Sequence, residues 1–228
     1  MTDIISLSAC GSFRDELAPG TFVLVDQFVD RTFAREKSFF GPGLGAHVSM
    51  ANPVCARLGD ALEGVASEMG IGAVRNGTYL AMEGPQFSTL AESNLYRTWG
   101  CDVIGMTNMP EAKLAREAEM CYATVAMVTD YDCWHPDHVN VEVTDVIRVL
   151  TENADRARDL VKLSRIACTI DHCLSPWCDR ALDAALITQP EAVIRNDAPV
   201  GCRGGQGVGC PVNRPGGSAV KVLECIEG

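Results

Sequence analysis

Apolar, β-branched runs alternate with amphipathic stretches along most of this chain. That alternation predicts an α/β fold with a mixed central sheet flanked by helices. Ile4 to Ala9 reads as a buried strand that ends at Cys10, Gly11 and Ser12. Thr21 to Gln27 reads as a second strand. Between Pro53 and Met69, apolar residues recur at Val54, Leu58, Leu62 and Val65, the spacing of a helix face. Arg75 to Thr78 contains Asn76 and Gly77, a pair that predicts a hairpin turn because it tolerates positive φ angles. Ser88 to Trp99 and Pro110 to Glu119 read as helices, with a short strand from Asp102 to Met106 between them. Cys121 to Val128 is the most apolar strand and is expected at the centre of the sheet. Thr144 starts a long helix with Val146, Val149, Leu150, Ala154, Ala157, Leu160 and Val161 on one face.

After Cys168 the texture changes. Residues 1–189 are expected to form one domain, and 190–228 a flexible Gly-, Pro- and Cys-rich tail. The Gly-rich run from Cys202 to Cys210 has no strand before it, so a phosphate-loop role is not expected. The length of 228 residues is enough to bury a core, and 47% hydrophobic residues argue against disorder. A net charge of −11 repels nucleic acid and anionic membranes, so neither is expected as a partner. No apolar run could span a bilayer, and the opening residues lack a basic region, so the expected compartment is the cytoplasm. Among the eleven cysteines, Cys10, Cys55, Cys101, Cys121 and Cys133 sit singly in apolar settings and read as buried, reduced thiols. Cys168, His172, Cys173 and Cys178 lie closer together, but their spacing is irregular and no metal site is expected.

Three segments carry candidate chemistry. Glu83 to Ser88 places a Gly-Pro break between a strand and a helix, which leaves the Phe87 ring and the Ser88 hydroxyl at a strand's end. Open α/β sheets bind ligands in the crevice beyond such ends. An ordinary helix start capped by Ser88 is the alternative reading. Val103 to Asn108 brings Met106 and Thr107 to the end of a second strand, where a core methionine and a turn threonine are the alternative. Thr129 to Trp134 sets Asp130 and Asp132 at the end of the most apolar strand. A buried carboxylate must pair or shift its pKa, and clefts collect such groups, while a solvated turn with an Asp cap is the alternative reading.

Taken in order, these segments resemble the trimeric purine nucleoside phosphorylase family, most closely its methylthioadenosine phosphorylase branch. The matching stretches are Ser8 to Ser12, Asp26 to Thr32, Glu83 to Pro85 with Ala91 to Ser93, Thr98 to Gly100, Met106-Thr107 and Thr129 to Trp134. The resemblance runs from the first residues to about Lys162. It implies phosphorolysis of S-methyl-5'-thioadenosine to adenine and 5-methylthioribose 1-phosphate, with inorganic phosphate as co-substrate and no cofactor. It implies Asp130 at purine N7, Asp132 accepting from the 6-amino group, Tyr131 between them, Phe87 and Ser88 against the base, and Met106 under the ribose. Val143, Val146 and Ile147 correspond to the pocket for the 5′ substituent, where apolar groups suit a methylthio group. Ser8, the backbone N–H of Ala9 and Thr107 correspond to the phosphate donors. His47 corresponds to a residue that reaches a neighbouring subunit's site, which implies a homotrimer.

The pattern departs from the family at its start. The family's first strand, Gly-rich loop and phosphate-binding Arg-His pair should precede Ser8, where only seven residues stand. The fold is therefore expected to be incomplete at its N-terminus, with an unpaired sheet edge and a phosphate site short of its main cation. Phosphorolysis of 6-oxopurine nucleosides or methylthioinosine, and a non-catalytic nucleoside-binding remnant, are the alternative functions.

Overall fold

A computed structural model describes residues 2–41, 44–136, 143–170, 178–189 and 220–224, the last segment and residues 145 and 165–170 as backbone only. The chain folds as β1 (Asp3–Ser12), β2 (Phe22–Asp30), α1 (Ala56–Glu68), β3 (Ala73–Ala81), α2 (Leu90–Thr98), β4 (Val103–Gly105), α3 (Glu111–Glu117), β5 (Cys121–Asp130), α4 (Val143–Ile170) and β6 (Val220–Glu224). A 3-10 turn, Asp132–Trp134, follows β5 directly. The strand order is β4-β3-β2-β5-β1-β6, and β4 also pairs with β1, so the first five strands curl back on themselves. The pairing is mixed: β1 runs parallel to β5, and β2 antiparallel to it. The expected α/β class with a mixed sheet and flanking helices is thus observed, and the most apolar strand, β5, is central.

Strand alternation divides the core. Ile5, Leu7, Phe22 and Leu24 face one way and pack with Leu58, Leu62, Val65, Leu160 and Val161 of α1 and α4. Ile4, Val23 and Val25 face the other way and pack with Tyr79, Tyr122 and the α3 residues Ala112 and Ala115. A third cluster, Phe13, Leu80, Tyr96 and Ile104, seats α2.

The Asn76-Gly77 pair is not a hairpin turn. It lies inside β3, which runs parallel to β2 and so needs the α1 crossover rather than a tight turn. Asn76 has φ 64° and is an extra residue in the ladder, because Leu24 pairs with Arg75 and Val25 with Gly77. Only glycine fits at 77, where an added Cβ would stand 2.3 Å from Val23 Cγ1. Three further expectations change. The first strand continues through Ser12 rather than turning at Cys10. The N-cap of α2 is Thr89, closed by a capping box with Glu92, rather than Ser88. The edge of β1 is not unpaired: Val220–Glu224, from the segment expected to be a flexible tail, runs parallel along it. Residues 190–219, with the Gly-rich run, lie outside the described residues, as do the side chains of Cys168, His172 and Cys173.

Candidate active site

Two polar clusters form where β1, β3, β4 and β5 end. The first is a triangle of hydroxyls. Ser8 Oγ lies 2.5 Å from Thr107 Oγ1 and 3.1 Å from Tyr79 Oη, and Tyr79 Oη lies 3.2 Å from Thr107 Oγ1. Ser8 also donates to the carbonyl of Ala9, which lies opposite Met127 on β5. Burial pushes the Tyr79 hydroxyl up to about 12, so it stays protonated and able to donate. The packing is close, because a Cβ at Gly105 would stand 2.0 Å from Tyr79 Oη and 3.1 Å from the Ala9 carbonyl oxygen.

The second is a carboxylate turn. Thr129 is the extra residue in the β1–β5 ladder, since Cys10 pairs with Val128 and Gly11 with Asp130. The bulge carries Asp130 over Gly11. Asp130 accepts from the Thr129 hydroxyl and from the Asp132 backbone N–H, each at 2.8 Å. Asp132 has φ 54°, a left-handed conformation that costs energy for any residue but glycine. Its side chain is buried, and Oδ2 has no hydrogen-bond partner among the described residues. Burial raises the Asp132 carboxyl to about 6, opposed by the nearby Ser93 hydroxyl and reinforced by the Asp130 charge. A Cβ at Gly11 would meet Asp130 Oδ1 at 2.9 Å and the Asp132 backbone nitrogen at 3.3 Å.

The Glu83–Ser88 segment joins the clusters. Ser88 accepts from Cys133 Sγ at 3.4 Å through its carbonyl, and its hydroxyl donates to Met82 Sδ at 3.6 Å. Met106 packs so closely on Gly84 that a Cβ there would stand 2.5 Å from its sulfur. Phe87 is half exposed beside them in sequence. Arg35 ties the two strand ends together. Its Nη1 donates to the carbonyls of Met106 and Met109, each at 2.7 Å, and its Nη2 to the carbonyl of Glu83 at 2.7 Å. Tyr131 stacks on His135 at 4.6 Å and donates to the Asp15 carbonyl.

Residues 1–164 match the sequence profile of the phosphorylase superfamily. The chain belongs to that superfamily. It is 64% identical over 192 residues to the S-methyl-5'-thioadenosine phosphorylase of Rhodospirillum rubrum, covering 84% of this chain and 65% of that protein. It is 66% identical over 195 residues to the protein of the same name from Bradyrhizobium diazoefficiens, covering 84% and 66%. The chain thus spans just under two thirds of the length of these curated relatives. Its structure resembles a methylthioadenosine phosphorylase from an antarctic soil metagenomic library, with TM-score 0.81, 43% identity, and coverage of 87% of this chain and 70% of that one. It also resembles the Schistosoma mansoni methylthioadenosine phosphorylase in complex with adenine, with TM-score 0.72, 32% identity and coverage of 75% and 67%.

Within this superfamily fold, the residues expected from sequence fall into three sets. Ser8 and Thr107 meet at the hydroxyl triangle, where Ala9 contributes its carbonyl as an acceptor from Ser8, while Asp130, Tyr131 and Asp132 form the carboxylate turn. Ser88 contacts the 3-10 turn, and Met106 contacts Gly84. His47 is exposed, with its backbone N–H on the carbonyl of Ala185. Val143 and Ile147 stand exposed one turn apart at the start of α4, and Val146 is partly buried. Sequence reasoning missed Tyr79 and Arg35. The apolar run from Tyr79 to Ala81 was a signal for the first, whereas Arg35 sits in a loop with no pattern to reveal it. Among the described residues, the one grouping suited to a metal is Cys55, Cys121 and Cys178, at the opposite end of β5.

Proposed function

We propose that this chain carries the phosphorolysis of S-methyl-5'-thioadenosine, giving adenine and 5-methylthioribose 1-phosphate. The observation that carries the reading is the pairing of an anion-ready hydroxyl triangle with a carboxylate turn at neighbouring strand ends. Phosphate is the co-substrate, held by Ser8, Thr107 and the Ala9 backbone N–H. No cofactor takes part. Asp130 faces purine N7 and acts as the acid that gives N7 its proton as the base departs with the bonding electrons. Asp132, through its unpartnered Oδ2, accepts from the 6-amino group. Phe87 and Ser88 border the base, and Met106 lies under the ribose. Val143, Val146 and Ile147 receive the methylthio group. His47 serves a neighbouring site in a homotrimer that works in the cytoplasm. The names of the relatives support the substrate, and an acidic chain supports a small-molecule rather than a nucleic-acid role.

The test is phosphate-dependent release of adenine from methylthioadenosine by the purified protein. Release that requires phosphate and falls at least about 100-fold in Asp130→Asn supports the proposal. Faster turnover of inosine or methylthioinosine contradicts the base assignment. No release with intact adenine binding reduces the chain to a nucleoside-binding protein.

A further inference from the structure

At the far end of β5 from the carboxylate turn, roughly 30 Å along the strand, three buried cysteines converge. Cys55 caps the start of α1, Cys121 opens β5, and Cys178 belongs to the segment after α4. Their sulfurs all lie within 4.8 Å of one another. The backbone holds two of them firmly. Cys55 N–H donates to the Tyr122 carbonyl and Cys121 N–H to the Thr2 carbonyl, each at 2.8 Å.

Two guanidiniums stand against the cluster. Arg116 Nη1 lies 3.9 Å from Cys178 Sγ, and its Nη2 donates to the Asn52 carbonyl. Arg57 pairs with Asp3 through Nη2, while its buried Nε and Nη1 have no oxygen acceptor among the described residues. Lone core cysteines behave as small hydrophobes and need no cations beside them. A convergent trio of sulfurs is instead the donor set that a thiophilic ion gathers.

We propose that Cys55, Cys121 and Cys178 form a structural tri-thiolate site for a thiophilic divalent ion, with zinc as the best fit. Zinc bonds sulfur at about 2.3 Å, which sets tetrahedral sulfurs about 3.8 Å apart, so closure of no more than about 1 Å completes the three-sulfur face. Thiolate ligands select soft or borderline ions over magnesium or calcium. Bound metal would fasten α1, β5 and the post-α4 segment together, so it acts on stability rather than on the base site.

The experiment uses the whole chain, reduced and stripped with chelator, then titrated with zinc alone and, in parallel, with cobalt(II) alone. We expect one zinc per chain, a raised thermal midpoint and an intense sulfur-to-cobalt charge-transfer band. Cys121→Ser and Cys178→Ser should each weaken zinc binding by at least about 100-fold, while Cys101→Ser, buried elsewhere against α2, should retain it. Absence of tight zinc, or of the cobalt band in the unaltered protein, overturns the proposal whatever the variants do. Full zinc retention in Cys178→Ser overturns it as well.

Discussion

The hydroxyl triangle and the carboxylate turn sit at adjoining strand ends, yet they are built on opposite terms. Ser8, Tyr79 and Thr107 satisfy one another, carry no charge and avoid positive φ angles. Removing them from water costs little because each hydroxyl has a partner. The turn gathers two carboxylates, a left-handed aspartate and a buried oxygen without a partner. Such a cluster opposes folding and persists only where the surrounding structure enforces it. The contrast separates a preformed neutral cluster from a strained charged one, to which the proposed function gives the phosphate and the base respectively.

Substitutions at each cluster can sharpen this contrast. The largest effect is expected at Gly11, whose Cα leaves room for Asp130 and Asp132 and for nothing else. Gly11→Ala forces the turn aside. We expect a loss of about 1–3 kcal/mol in urea unfolding and at least about tenfold weaker adenine binding. An unchanged adenine affinity would show that the turn is not held by Gly11. The smaller effect is expected at Tyr79. In Tyr79→Phe the Ser8–Thr107 contact remains, so the stability loss should stay near 1 kcal/mol, with adenine affinity preserved and the phosphate requirement raised. A collapse of adenine binding in this variant would erase the distinction between the two halves.

The long elements were legible because apolar periodicity reports burial directly. The faces of α1 and α4 and the central place of β5 follow from spacing alone. The Asn76-Gly77 misreading has a physical origin. A hairpin turn and a left-handed bulge residue ask for the same backbone freedom, so the dipeptide cannot tell them apart. Its cost was β3 itself, and with it Tyr79. Thr89 rather than Ser88 caps α2 because the reciprocal bond to Glu92 requires the three-residue spacing. Arg35 gathers carbonyls from two distant segments, and β6 reaches β1 from the far end of the chain. Neither carries a local pattern. The cysteine cluster was hidden for the same reason, since proximity in sequence grouped Cys178 with Cys168, His172 and Cys173, a set not expected to bind metal, while folding brings Cys178 to Cys55 and Cys121.

The carboxylate turn is tested most directly by adenine affinity as a function of pH in the unaltered protein and in Asp132→Asn. The folded Asp132 titrates near 6, above the unfolded value of about 3.9. Protonation therefore favours the folded state, and the ionised form at neutral pH costs stability while providing the acceptor. Adenine should bind about tenfold more weakly near pH 5 than near pH 7.5, and Asp132→Asn should bind weakly at both. A flat profile, or an asparagine variant that binds adenine as tightly as the unaltered chain, would contradict the account.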